Sequence, residues 1–368
     1  MGARTRGIAN NILSDGLDAT DGLSGALSSS NITNASVTNV TSTPSIGGGF
    51  EKVASDPPSP TEGDIWYNTT SNTVKGYVLS PTAAAWATGG NLNTARWGLA
   101  GGGSQTSAIV TGGETPRTGA TELYDGTSWT EVNDLNTVRN QLALAGSQTS
   151  SIAFGGENPG TTNNVETEEW DGTSWTEVND MATGRREHAG LGTQTAALAV
   201  AGFTPPGVST YNSAVESWDG TNWTSGTAIP TTTGQISGIG TSTAGLVMGG
   251  LTPSLTGNSF EWDGSSWTAG GTMNTARANF CGSGIQTNGL VAGGTTPAYT
   301  NAAELYDGSS WTSTVNMSTT RVDQAGLSEG STGDAGLVAG GYLNGGPSTT
   351  ATEEFTGAAN LAQVKTLG

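Results

Sequence analysis

A six-residue element, built from an aromatic side chain, Asp-Gly, two small polar residues and Trp, is written five times along this chain. It stands at Tyr124–Trp129, Trp170–Trp175, Trp218–Trp223, Trp262–Trp267 and Tyr306–Trp311, and its tryptophans fall 46, 48, 44 and 44 residues apart. Six residues after each Trp comes an aliphatic side chain: Leu135, Met181, Ile229, Met273 or Met317. Four further on comes Arg139, Arg185, Arg277 or Arg321, with Thr233 the exception. Sixteen residues later begins a small pair, Gly155-Gly156, Ala201-Gly202, Gly249-Gly250 or Gly293-Gly294. The last copy takes 19 residues to reach Gly340-Gly341, which points to an insertion within SEGSTGD. One copy is too small to bury its own apolar faces, so copies must stack on one another.

Between these marks lie SIAFGG, AALAVAG, AGLVMGG, NGLVAGG and AGLVAGG, short continuous apolar runs that read as strands buried on both faces. ATELYDG and AVESWDG alternate, as half-exposed strands do. Asp-Gly favours a tight hairpin between the aromatic strand and the Trp strand. Each copy therefore reads as four antiparallel strands, and a period near 45 residues is that of propeller blades, about 40 to 50. The ends are complementary. Trp86 is followed by Leu92, Arg96 and Gly112-Gly113 at the usual spacings, so AAAWATGG is a fourth strand without its first three. Residues 321–357 supply three strands without a fourth. The expected fold is all-β: a six-bladed β-propeller over residues 73–360, closed when the strand near Trp86 joins the C-terminal three.

The chain carries 12 Lys and Arg against 31 Asp and Glu, a net charge of −19 over 368 residues. Such a surface repels phosphate backbones, so nucleic acid is not an expected partner. The 58 glycines follow no three-residue period and mark turns. Cys281 is the single cysteine and His188 the single histidine, which disfavours disulfide frameworks, Cys/His metal centres and Ser-His-Asp chemistry. Both fall on predicted inner strands and are expected in the core. No apolar run reaches the roughly 18 residues of a membrane helix. MGARTRGIANNILSDGL lacks the core of a secretory signal, and Arg6 breaks the myristoylation pattern. A soluble protein with no membrane insertion, cofactor or resident metal is expected.

The Tyr-Asp…Trp, Met/Leu-x-x-x-Arg and Gly-Gly marks resemble kelch repeats. One departure is the five-residue step from aromatic to Trp, shorter than the usual kelch hairpin, so a tighter third-to-fourth turn is expected. The compact Asp-Gly-Thr/Ser-Ser-Trp form is similar to kelch-like propellers encoded by marine phages that infect cyanobacteria. Residues 1–50, rich in Ser, Thr and Asn, read as an extended polar N-terminal arm for virion attachment or oligomerisation. Residues 51–72 read as a linker and hairpin, and 361–368 as a C-terminal tail. Within PSPTEGDIWYNTTSNTVKGYVL, Pro60, Gly63, Asp64, Trp66, Tyr67 and Asn68 resemble a short element of phage tail-fibre and other virion proteins. These resemblances imply a non-enzymatic, exterior virion protein, tail-fibre-like or another appendage. Its expected partners are other virion proteins through residues 1–70 and a host cell-surface glycan or protein, with the arm either trimerising with two further copies or lying singly on a partner.

The distance from each Gly-Gly pair to the next aromatic varies most, at 12, 15, 17, 13, 13 and 15 residues, which singles out the loop between second and third strands as the adaptable surface. Phe203, Tyr211, Tyr299, Tyr342, Asn158 and Arg117 in these loops, with Pro205 and Pro206, form the expected ligand surface; aromatic faces suit sugar rings. Trp86, Trp129, Trp175, Trp223, Trp267 and Trp311 are expected to be structural wedges. Arg96, Arg139, Arg185, Arg277 and Arg321 would stand around the axis. An anion-binding ring is one reading, and the favoured one is local: pairing, for instance with Asp134 or Asp180, or bonds to turn carbonyls. Asp125, Asp171, Asp219, Asp263 and Asp307 read as turn formers rather than a carboxylate array. Sialidase-type propellers place one more residue between Asp and Gly in their turns and need an arginine triad. Copper oxidases need several histidines. A glycan hydrolase, a capsid decoration protein and a kelch-type adaptor remain as alternatives, with Glu114, Glu157 and Glu216 available but not singled out.

Overall fold

The computed structural model describes residues 51–160, 163–204, 210–327 and 332–366, and among these every regular element is a β-strand. The described residues divide into two units, 51–83 with 358–366, and the rest from 84 to 357.

The first unit holds one four-stranded sheet. Glu51–Val53 pairs parallel with Ile65–Asn68, which turns back onto Thr73–Thr82, and Ala359–Thr366 adds along the far edge. The GDIWYN residues build its turn. Gly63 takes a φ of 90°, Trp66 is buried, and Asn68 Oδ1 accepts the backbone N–H groups of Thr70 and Ser71. Asp56 gathers donors from Trp66 Nε1, Asn68 Nδ2 and Lys75 Nζ. Residues 73–83 and 358–360, assigned above to the propeller, lie in this unit, because Thr73–Thr82 runs on past the hairpin and finds its partner in Ala359–Thr366.

The second unit holds five four-stranded antiparallel sheets, each a chain-order meander. The first runs Ala100–Ser104, Ser107–Thr111, Thr121–Tyr124 and Trp129–Val132. Four more begin at Ala143, Ala189, Ser237 and Cys281. A sixth sheet is assembled from both ends: Ala335–Ala339 pairs with Thr352–Thr356, and Thr352–Thr356 pairs with Ala85–Thr88 in the register Phe355 to Trp86. Ala325 bridges to Ala339 ahead of it. The described residues are therefore all-β, with the repeated antiparallel sheets of a β-propeller.

Neighbouring sheets share apolar faces and are stitched by polar side chains. Ile109, Leu144, Ala153, Trp170 and Trp175 form one such layer between the first and second sheets. Trp175 Nε1 donates to Thr121 Oγ1 and Trp223 Nε1 to Thr167 Oγ1, each reaching back one sheet. Gln148 Nε2 donates to the carbonyls of Ala108 and Tyr124, and Gln105 makes the same bonds to Gly336 and Phe355 of the sixth sheet. The Gly-Gly pairs follow from close approach: Gly155 has a φ of 67°, and a Cβ there would lie 2.7 Å from the carbonyl of Arg185.

Candidate functional site

Two residues beyond each Arg (or Thr233) the backbone turns left-handed, at Gly98, Gln141, Glu187, Gln235, Asn279 and Asp323, with φ between 48° and 65°. These residues are joined head to tail. Gln141 N donates to Gly98 O, Glu187 to Gln141, Gln235 to Glu187, Asn279 to Gln235, Asp323 to Asn279, and Gly98 N to Asp323 O. The circuit returns to its start. A non-glycine residue held at positive φ costs on the order of 1 kcal/mol, and the bonded circuit is what holds it.

All six residues line a cavity of about 140 Å³. The lining continues with small side chains, Ala100, Ala143, Ala189, Ser237, Cys281 and Ala325, and with larger ones such as Leu142, His188 and Phe280. Six positions in the circuit place Glu187 and Asp323 opposite each other, with Gln235 and Asn279 between them on one side and Gln141 and Gly98 on the other. Burial, reinforced by the Glu187 charge, pushes the Asp323 carboxyl up to about 7. Burial also raises Glu187, against hydrogen bonding from Gln235 and the pull of Arg186. Glu187 Oε2 and Gln141 Oε1 are buried without a hydrogen-bond partner.

The residue after each Arg (or Thr233) bridges the residue after each small pair: Trp97 to Glu114, Asn140 to Glu157, Arg186 to Phe203, Gly234 to Leu251 and Ala278 to Thr295. Val322 pairs with Tyr342 in the same way. Arg117 donates to Glu114 Oε2 at 2.8 Å and to Glu157 Oε1 at 3.3 Å. Arg186 donates to Glu157 Oε2 at 2.9 Å and lies 5.6 Å from the centre of the Phe203 ring.

The residues expected to form a ligand surface differ in exposure. Phe203 is only 4% exposed, packed against Tyr211 with ring centres 5.2 Å apart, so its ring supports the loop from beneath. Tyr342 is 37% exposed and meets Trp97 edge-on at 6.3 Å. Tyr211 and Tyr299 are half-buried on short two-residue strands. Asn158 Oδ1 accepts from Gly160 N. Pro205 and Pro206 fall outside the described residues, as does residues 1–50, where the arm and its virion contacts were expected.

The arginines are buried, and each pairs with a glutamate on the third strand of its own sheet rather than with Asp134 or Asp180. Arg96 meets Glu122 at 2.6 Å, Arg139 meets Glu168 at 2.8 Å, and Arg185–Glu216 and Arg277–Glu304 each span 2.7 Å; Arg321 pairs with Glu353. Arg139, Arg185, Arg277 and Arg321 also donate to backbone carbonyls. Glu216 is thus a structural partner. Asp125 and its four counterparts accept backbone N–H groups within their own turns, as Asp125 does from Thr127 and Ser128. Trp129, Trp175, Trp223 and Trp311 are buried against the preceding aromatic, while Trp86 and Trp267 are half-buried. His188 and Cys281 are each 5% exposed. The left-handed circuit escaped the sequence reading; its one signal is a fixed offset of two residues from each Arg.

No family model matches the chain, and no curated protein matches it. Among solved structures it is similar to "Structure of YjhT", with a TM-score of 0.60 and 15% identity, over 74% of this chain and 99% of that one. At that identity the likeness is one of fold alone.

Proposed function

We propose that the chain is a non-enzymatic recognition module, a six-bladed kelch-like β-propeller closed by the strand at Trp86, and that it serves as an exterior, tail-fibre-like appendage of a phage virion. Closure is supported by the hydrogen-bonded circuit and by the sixth sheet built from both ends. The virion setting rests on the resemblance of the GDIWYN element and the compact repeats to phage proteins.

One observation carries the recognition reading. The frame repeats its Arg–Glu pair in five of six sheets and its left-handed residue in all six, yet the bridged positions carry a different pair each time, from Trp97–Glu114 to Val322–Tyr342. Sequence freedom confined to one face of a conserved scaffold is what a binding surface needs. The exposed Tyr342 beside Trp97, and the Arg117 and Asn158 loops nearby, offer ring faces and hydrogen-bonding groups suited to a cell-surface glycan.

Replacing Tyr299, Tyr342 and Arg117 together by Ala should reduce adsorption to host cells at least tenfold while thermal unfolding moves little. Undiminished adsorption would reject this surface. Glycan release that disappears with a single carboxylate substitution would reject the non-enzymatic reading.

A further inference from the structure

We propose that the mouth of the axial cavity is a cation site, in which Glu187 and Asp323 hold a large, hard divalent ion of the calcium class between them. The site is separate from the outer loops and does not depend on what they bind.

Three observations lead there. The two carboxylate residues come from opposite points of one closed backbone circuit and both line the one cavity, so like charges share it. No cationic side chain stands in the circuit itself; Arg186, beside Glu187 in sequence, has its Nε 4.0 Å from Glu187 Oε1 and donates its Nη1 to Glu157 Oε2 at 2.9 Å. The Glu187 side chain is only 9% exposed and its Oε2 has no hydrogen-bond partner, while Gln141 Oε1 beside it is also buried and partnerless. A buried carboxylate oxygen left without a partner costs several kcal/mol of lost hydration, and a cation on the axis would satisfy it. Five left-handed non-glycine residues converging on one cavity add strain of the kind that gathers at binding sites.

The donor set selects the ion. Two carboxylates with the amides of Gln141, Gln235 and Asn279 in the same circuit offer oxygen ligands, while His188 and Cys281 also line the cavity. Calcium accepts about 6–8 such oxygens in adaptable geometry, whereas magnesium demands a compact octahedron that donors from separate segments do not easily provide. Among the described residues no three His, Cys, Asp or Glu side chains gather as a metal cluster, so this site is recognised by its mixed carboxylate and amide oxygens.

The test uses the full-length chain stripped with EDTA and titrated with CaCl2 by calorimetry, with unfolding temperature read alongside. MgCl2 and an ionic-strength match of NaCl serve as comparison arms. One calcium per chain should bind and raise the unfolding temperature, and NaCl should not reproduce the shift. Glu187→Gln and Asp323→Asn should each weaken binding at least tenfold, and Gln141→Leu about threefold with no change of charge. In EDTA the double variant Glu187→Gln/Asp323→Asn should unfold no lower than the parent, since the opposed charges are gone. Absence of heat and of any thermal shift at millimolar calcium, undiminished binding by the double variant, or equal affinity for magnesium would each overturn the assignment.

Discussion

Burying an arginine against a glutamate is tolerable only while both charges stay paired, because each has left water behind. Five sheets of the second unit make this pair. The fourth does not, and its departures match one another. Thr233 replaces the Arg and Phe260 replaces the Glu two residues before the aromatic. In the other sheets that Glu also accepts the backbone N–H seven residues after the Trp, as Glu168 does from Asn136 and Glu216 from Ala182; in the fourth copy that residue is Pro230, which has no N–H to offer. The three positions form one polar unit, present or absent as a whole. Arg139→Thr alone, which strands Glu168, should therefore cost about 3–5 kcal/mol. The triple variant Asn136→Pro/Arg139→Thr/Glu168→Phe should recover most of that loss in chemical denaturation, and an additive loss instead would show that the three act separately. The arginine spacing was legible in the sequence. Its partner was not, since Glu168 lies 29 residues on and meets Arg139 only after two strand reversals set the register.

At the scale of the sheet, each interface matches a third-strand aromatic to the residue before the aromatic in the preceding sheet. Tyr306 donates its hydroxyl to Glu261 at 2.5 Å, and Tyr124 donates to Glu354 across the join between first and sixth sheets. Where the preceding residue is Leu123 or Leu305, the facing ring is Trp170 or Phe355, which has no hydroxyl to satisfy. Burial, then the bond to the carboxylate, pushes both tyrosines up to about 12 from an ordinary 10. The fold thus favours the neutral phenol. This contribution is complete below pH 10 and is lost as pH climbs through about 12, each tyrosine supplying at most roughly 3 kcal/mol. Tyr124→Phe/Tyr306→Phe should flatten the fall in stability across that window, measured by denaturant unfolding at stepped pH. An unchanged slope would place the alkaline loss elsewhere, for example at the buried Cys281 thiol, raised to about 11. The strands themselves were readable from apolar runs ending at Gly-Gly and from Asp-Gly hairpins. These cross-sheet matches were not, because periodicity reports which face of a strand is buried and not which neighbour covers it.

Over the whole molecule, the proposed closure couples sheets that are far apart in sequence, and its two halves differ in legibility. The joining strand carried its own mark, since Trp86, Leu92 and Arg96 repeat the spacing of every other copy. The axial circuit carried none in its side chains, because Gly98, Gln141, Glu187, Gln235, Asn279 and Asp323 share a backbone conformation and a bonding role that no single residue type dictates. The two features depend on each other. Ala85–Thr88 completes the sixth sheet, where Trp86 packs on Phe355 with ring centres 5.1 Å apart and donates to the carbonyl of Val315. That sheet supports Asp323, whose carbonyl accepts the bond returning from Gly98. Losing the strand would therefore open the circuit at its join rather than fray one edge. Exchanging residues 85–88 for Gly-Ser-Gly-Ser should lower the unfolding temperature by more than ten degrees. It should also expose the amides of Gly98, Gln141 and Asp323 to hydrogen exchange together. Loss of protection confined to residues 335–356, with the circuit amides still slow to exchange, would mean that the sheets hold their arrangement without being closed.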